Sequence, residues 1–251
     1  MITEPAPQGR APSSWKRDIV MYCTPFRGRR TAAATIVAAT ALLGGATAPA
    51  SAHWEATPVS AHTQTETLQP EPTSPTAYEF GETLAGLEGE ELEITFLAEI
   101  IGHHQGAIEM AQLELERGTS PDIRTHAENI IADQQHQIEQ FTRWLDQWYG
   151  LTPDEAKAQA PEEARQEMAT MEEEMQMMHE ELLAVEAGEG FDVAFVQKMI
   201  PHHSSGIIEF LEPQARAPHA ELRVASTAGI TTQQAQVADF RTWLAGQDGN
   251  V

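Results

Sequence analysis

The chain has 251 residues, with 15 Lys and Arg against 38 Asp and Glu, a formal net charge of −23 at pH 7. A surface so acidic repels nucleic acid and anionic lipid and attracts cations without specificity. A single cysteine, Cys23, rules out a disulfide framework and a thiolate metal site.

Residues 1–52 read as an export signal. Arg27, Arg29 and Arg30 form its positive segment, residues 31–46 its small-residue apolar stretch, and Ala50-Ser51-Ala52 its cleavage site, so that the mature chain starts at His53. The apolar stretch is short and Ala-rich for a bilayer span; an uncleaved N-terminal anchor is the alternative. Arg29-Arg30 also permits twin-arginine export, although the residues that follow match that signal poorly. Cys23 precedes the apolar stretch, where a lipid-anchoring cysteine cannot lie. The expected location is secreted or extracytoplasmic, with no membrane span in the mature chain. Subtracting the six basic and two acidic residues of 1–52 leaves 9 basic and 36 acidic, a net charge of −27. The exported chain has no cysteine, so any metal chemistry must use His, Met and carboxylate.

Residues 53–88 are rich in Pro, Thr, Ser, Glu and Ala without an apolar period, and are expected to be a disordered linker. From residue 89 to 247 the pattern is helical. A first helix is expected over 90–117, ended by Gly118. Ser120-Pro121 is a capping signal, and a second helix follows to residue 149, ended by Gly150. A third runs from Pro161 to residue 187, where Gly188 and Gly190 break it. A fourth covers 192–211 and stops near Pro213, and a fifth covers 218–245. No stretch alternates as a strand does, so the fold class is all-α.

At an offset of 99 residues the chain repeats itself. Phe96 matches Phe195, Ile101-Gly102-His103-His104 matches Ile200-Pro201-His202-His203, and Gln134-Gln135 matches Gln233-Gln234. Phe141 matches Phe240, and Trp144-Leu145 matches Trp243-Leu244. Two copies of a helical hairpin, about 90–149 and 192–246, predict a four-helix bundle with pseudo-twofold symmetry, the Met-rich third helix being the crossover.

Helical spacing puts His104 on a stripe with Leu97, Ile101 and Ile108, and His203 on one with Val196, Ile200 and Ile207, both facing the core. His103 and His202 fall about 100° away, at the stripe's edge. Gln134 and Gln233 lie within the apolar stripes of the second helix of each hairpin. They stand about 22 Å from the turns at 1.5 Å per residue, level with the histidines. The expectation is one polar layer in mid-bundle. Such a layer must be internally satisfied, because each unpaired polar group costs about 1–3 kcal/mol. Either each His bonds a Gln and fixes register, or the imidazoles converge on a metal with the Gln residues orienting the rings.

Met168, Met171, Met175 and Met178 recur at i, i+3, i+7 and i+10 in an acidic helix, beside Met177 and His179. Such a stripe ordinarily packs as core. Thioether with imidazole is also the ligand set that suits Cu(I) in a cysteine-free protein. The expected ligands are His103, His104, His202 and His203, backed by Met110, Met199, His136, Met178 and His179, with Gln134 and Gln233 behind them.

The stretch Ile101-Gly102-His103-His104-Gln105-Gly106-Ala107-Ile108-Glu109-Met110-Ala111, with Met199-Ile200-Pro201-His202-His203, resembles the signature of the family called domain of unknown function 305. The resemblance covers about residues 79–247. It implies an exported, ferritin-like helical bundle and, as for some relatives, copper binding. The second copy departs from the pattern at Ser204-Ser205-Gly206-Ile207-Ile208, so Glu109 has Ile208 as its counterpart. The resulting expectation is a non-enzymatic, exported copper-binding or sequestering protein. A metal-free interaction bundle with a His–Gln layer is the alternative. A di-metal oxidase is disfavoured, because neither His pair carries Glu-x-x-His and the core stripes lack carboxylates.

Overall fold

The structure, a computed structural model, describes residues 68–247. The proposed export signal and residues 53–67 of the linker lie outside the described residues. Seven helices and no strand occur among the described residues: α1 (Pro75–Gly86), α2 (Gly89–Arg117), α3 (Pro121–Trp144), α4 (Pro153–Gln159), α5 (Glu162–Ala184), α6 (Glu189–Arg216) and α7 (Ala220–Gln247). Helix α3 ends in a wider π turn, Leu145–Tyr149, closed by Gly150 in the left-handed conformation at φ 67°. None of these helices is long and apolar enough to cross a membrane.

Helices α2 and α3 form one hairpin, and α6 and α7 the other. The central pair, α2 and α6, runs antiparallel. Phe96 meets Phe210 at one end (ring centroids 5.3 Å) and His103 meets His202 in the middle (3.9 Å). At the other end the Gly188 N–H donates to the Arg117 carbonyl at 2.9 Å. Helices α4 and α5 pack on α2, and α1 bridges α5 and α6.

Both hairpin turns are held by the same device. Asp192, at the start of α6, accepts from the Thr119 and Ser120 backbone N–H groups at 3.0 and 2.8 Å. Ninety-nine residues earlier, Glu93 accepts from the His219 backbone N–H at 2.8 Å and from its Nδ1 at 2.6 Å. A buried carboxylate from one hairpin thus satisfies the orphan donors at the second helix of the other.

Two apolar clusters fill the interior. One is built round Phe96, Phe141 and Phe210, the other round Phe191, Phe195 and Phe240, with the histidines between them. These six aromatic side chains are fully buried, each contributing about 1.5–3 kcal/mol by removal from water.

Two expectations need correction. The disordered linker does not extend through 75–86. There α1 is capped by the Ser74 hydroxyl, carries Pro75 in its first turn, and buries Ala77, Phe80 and Leu84. Its apolar residues are few, so no period stands out until neighbouring helices supply the other half of the contact. The all-α fold class holds, with α1 and α5 packed as a further layer on α2 and α6. Nor does α6 stop near Pro213, for it continues to Arg216 with both Pro201 and Pro213 inside it. The N–H missing at Pro201 leaves the Gln197 carbonyl without its helical donor, and the Glu71 backbone N–H approaches it at 3.4 Å.

Candidate metal centre

Mid-chain on α2 and α6, the four histidines enter the interior together. His103, His104, His202 and His203 are 3%, 0%, 1% and 0% exposed. His104 and His203 face the core as their spacing predicts. His103 and His202 are not edge residues: α1 and α5 close over that side of α2 and α6, which a single apolar stripe cannot reveal.

Two glycines make room at the centre of the layer. At Gly206 a Cβ would stand 2.9 Å from His103 Cε1 and 2.6 Å from Gln233 Oε1. At Gly106 it would stand 2.8 Å from the Met175 sulfur and 3.7 Å from His202 Nε2. Gly206 therefore makes room for His103 and Gln233, whereas Gly106 makes room for the Met175 sulfur and leaves His202 at ordinary contact.

Hydrogen bonds fix two of the tautomers. His103 Nε2 donates to the His202 carbonyl at 3.1 Å, which leaves Nδ1 as the bare lone pair. His104 Nε2 donates to Gln137 Oε1 at 2.6 Å, which also leaves Nδ1 bare. Gln236, the repeat counterpart of Gln137, approaches His203, but neither His203 nitrogen closes a bond of ordinary geometry, and the same holds for both nitrogens of His202. The Gln partner is thus one turn beyond Gln134 and Gln233, which are buried with side-chain oxygens lacking a donor.

Burial disfavours imidazolium in all four rings. It lowers His103 to about 4, the carbonyl of His202 opposing the shift slightly. Burial and then the neighbouring His103 ring lower both His104 and His203 to about 3. His202 is lowered well below the ordinary value for the same reasons. At neutral pH the layer holds neutral imidazoles, the form that binds metal.

Two buried carboxyl groups accompany them. Glu99 lies one turn before His103 on α2, and Glu209 approaches His103 Nε2 at 3.7 Å from α6. Burial raises Glu99 to about 8, with the positive charge of Lys157 opposing. Burial and then the charge of Glu99 raise Glu209 well above the carboxylate range. The expected absence of core carboxylates is thereby corrected; Glu99 aligns with His103 and not with the apolar stripe. Among the described residues, however, no three His, Cys, Asp or Glu side chains form a metal-holding group.

Thioethers complete the arrangement. A chamber of about 20 Å³ is lined by His103, His202, Met171, Met175, Met178 and Glu174, with Ser205 and the start of α1 closing it. Its volume admits one water or one small ion. Glu174 is engaged elsewhere, accepting from the Ser74 and Thr76 hydroxyls at 2.9 and 3.1 Å.

Of the other expected ligands, Met178 reaches this chamber. Met110 and Met199 are buried in the apolar cluster of Phe191, Phe195 and Phe240 and do not line it. His136 is exposed on α3 beside the Gln-lined gap between α3 and α7. His179 is half-buried in a separate cleft between α2, α4 and α5. Sequence reasoning missed Gly106, Gly206, Gln137, Gln236, Glu99 and Glu209. The 99-residue repeat relates Gln137 to Gln236, a signal that could have found both.

A family described as "Domain of unknown function (DUF305)" matches residues 93–244. In fold the chain is similar to CopM in its Cu(I)-bound form, at 23% identity over 62% of this chain and 96% of CopM, with a TM-score of 0.50. It is likewise similar to a DUF305 protein from Streptomyces coelicolor, at 20% identity over 62% of this chain and 93% of that one, with a TM-score of 0.51. No curated protein sequence matches significantly.

Proposed function

The chain belongs to the family of domain of unknown function 305, and from that premise we propose that it binds and holds a soft monovalent metal ion, copper(I), outside the cytoplasm. The observation that carries this reading is the chamber where two neutral imidazoles and three thioethers meet. His103 Nδ1 is a lone pair without a protein partner and both His202 nitrogens are unpartnered, and Met171, Met175 and Met178 supply the soft sulfur that favours Cu(I) over harder ions. A bound ion would satisfy nitrogens whose burial otherwise costs about 1–3 kcal/mol each. CopM, whose fold the chain shares, has been solved with Cu(I) bound, which supports the reading. Export is part of the proposal and rests on residues 1–52. Within it, His104 is a clasp and not a ligand, a role favoured by its 2.6 Å bond to Gln137, and neither His104 nor His203 lines the chamber.

Titration of the metal-free chain with Cu(I) under a competing chelator, beside His103→Ala with His202→Ala, tests the proposal. The native chain is expected to take up one tightly held equivalent and the double variant to lose it. Equal uptake by both proteins refutes the site. A His104→Ala variant that loses uptake while remaining folded would instead move the ligands to the clasp.

A further inference from the structure

A second cavity, of about 400 Å³, lies between α2, α4 and α5 on the outer side of Gly106. Its mouth carries Asp154, Glu109 and Glu172, with Lys157 its one cationic side chain, paired to Glu172 at 2.7 Å. His179 stands on its wall. Deeper in, the wall includes Glu99, which is 4% exposed and has an oxygen, Oε1, without any donor. Met175 lines both this cleft and the inner chamber, and its sulfur and His202 Nε2 both lie close to Gly106. Met175 is therefore the one side chain shared by the linings of the cleft and the chamber.

We propose that this cleft is an outer capture site for the soft cation held in the inner chamber, and that Met175 passes the ion between the two. The inference rests on the copper reading of the inner chamber. Carboxylates at the mouth concentrate cations by their field, Glu99 offers a buried oxygen, and Met175 offers a ligand that turns on three rotatable bonds. Lys157 opposes entry, by its own charge and by engaging Glu172.

The probe is Ag(I), which is soft and does not change oxidation state. Loading of the full metal-free chain is followed from a weak chromophoric chelator, and release into a strong one. Glu109→Gln with Glu172→Gln is expected to slow loading and release together by about tenfold at low salt, with the dissociation constant changed less than about twofold. Lys157→Gln is expected to speed both. Both effects shrink as salt rises. The three side chains are at the surface, so the fold is not at stake. Rates unchanged in both variants overturn the capture site. So does equal slowing by Glu128→Gln with Glu139→Gln on α3, or faster release with a matching loss of affinity. A native chain that takes up no Ag(I) at all overturns the inner site itself, a distinct outcome.

Discussion

Replacing Glu99 by Gln should make the protein more stable at neutral pH, although it alters a buried polar residue beside the histidines. Burial keeps the Glu99 carboxyl protonated up to about 8, against an ordinary 4.5. At pH 7 the unfolded chain has released this proton and the folded chain retains it. Folding must take it up across 2.5 pH units, which at 1.36 kcal/mol per unit costs about 3 kcal/mol. The sign follows: the cost is absent below pH 4.5, grows between 4.5 and 8, and is constant above. Gln reproduces the neutral carboxyl in shape and in donating a hydrogen, and carries no such cost. Glu99→Gln is thus expected to gain up to about 3 kcal/mol at pH 7, a rise in Tm of about 6–12 °C for a domain of this size. The histidines titrate alike in both proteins and cancel in the difference. Thermal unfolding by circular dichroism at pH 7.5, 6 and 4.5 measures it. A gain that is absent at pH 7.5, or that persists undiminished at pH 4.5, refutes the reasoning.

Because burial already holds His103 deprotonated down to about pH 4, Ag(I) affinity should stay nearly level from pH 7 to 5 and fall only below about 4; an ordinary surface imidazole site loses affinity from about pH 6.5, and calorimetry across that range separates the two. Gln137→Ala strips His104 of its acceptor and should cost about 1–3 kcal/mol in urea unfolding. Two helical glycines should respond with opposite signs: Gly229→Ala drives a methyl to 2.7 Å from the Phe210 ring and should destabilise by about 1–3 kcal/mol, whereas Gly102→Ala meets nothing within 4 Å and should stabilise by about 0.5–1 kcal/mol. Asp192→Asn removes the charge that holds the Thr119 and Ser120 N–H groups and should cost about 1 kcal/mol, visible as a lower Tm.

The helices were legible wherever a single face repeats or a cap is spelled out: Ser120-Pro121 marks the start of α3, and Gly118 and Gly150 mark ends within a residue or two. Pro213 was misleading because a proline inside a helix removes one hydrogen bond without having to end the helix, as Pro201 also shows, where Glu71 approaches the released carbonyl. Helix α1 was hidden because its apolar residues make sense only against α5 and α6. At the site, periodicity identified His104 and His203 as inward and raised the methionine stripe as a candidate. It could not bring Met171, Met175 and Met178 to His103 and His202, since their distance in sequence says nothing about which side of α2 the crossover covers. Glu99 and Glu209 escaped for a related reason: a carboxyl is read as a surface group until packing on a second side removes the water.

His103 and His202 are one residue seen twice, at the same place in the two hairpins, so their rings, 3.9 Å apart and tilted by 39°, straddle the local dyad between α2 and α6. Either hairpin alone carries half of the nitrogen pair and would have to find a second copy to complete it, at a rate set by concentration. Tethering the copies in one polypeptide makes that encounter intramolecular, set by the span of the connection and not by concentration. The nitrogen pair is therefore insensitive to dilution. The same tether, α5, delivers the sulfurs to only one side of the dyad, so the connection that joins the halves also makes them unequal.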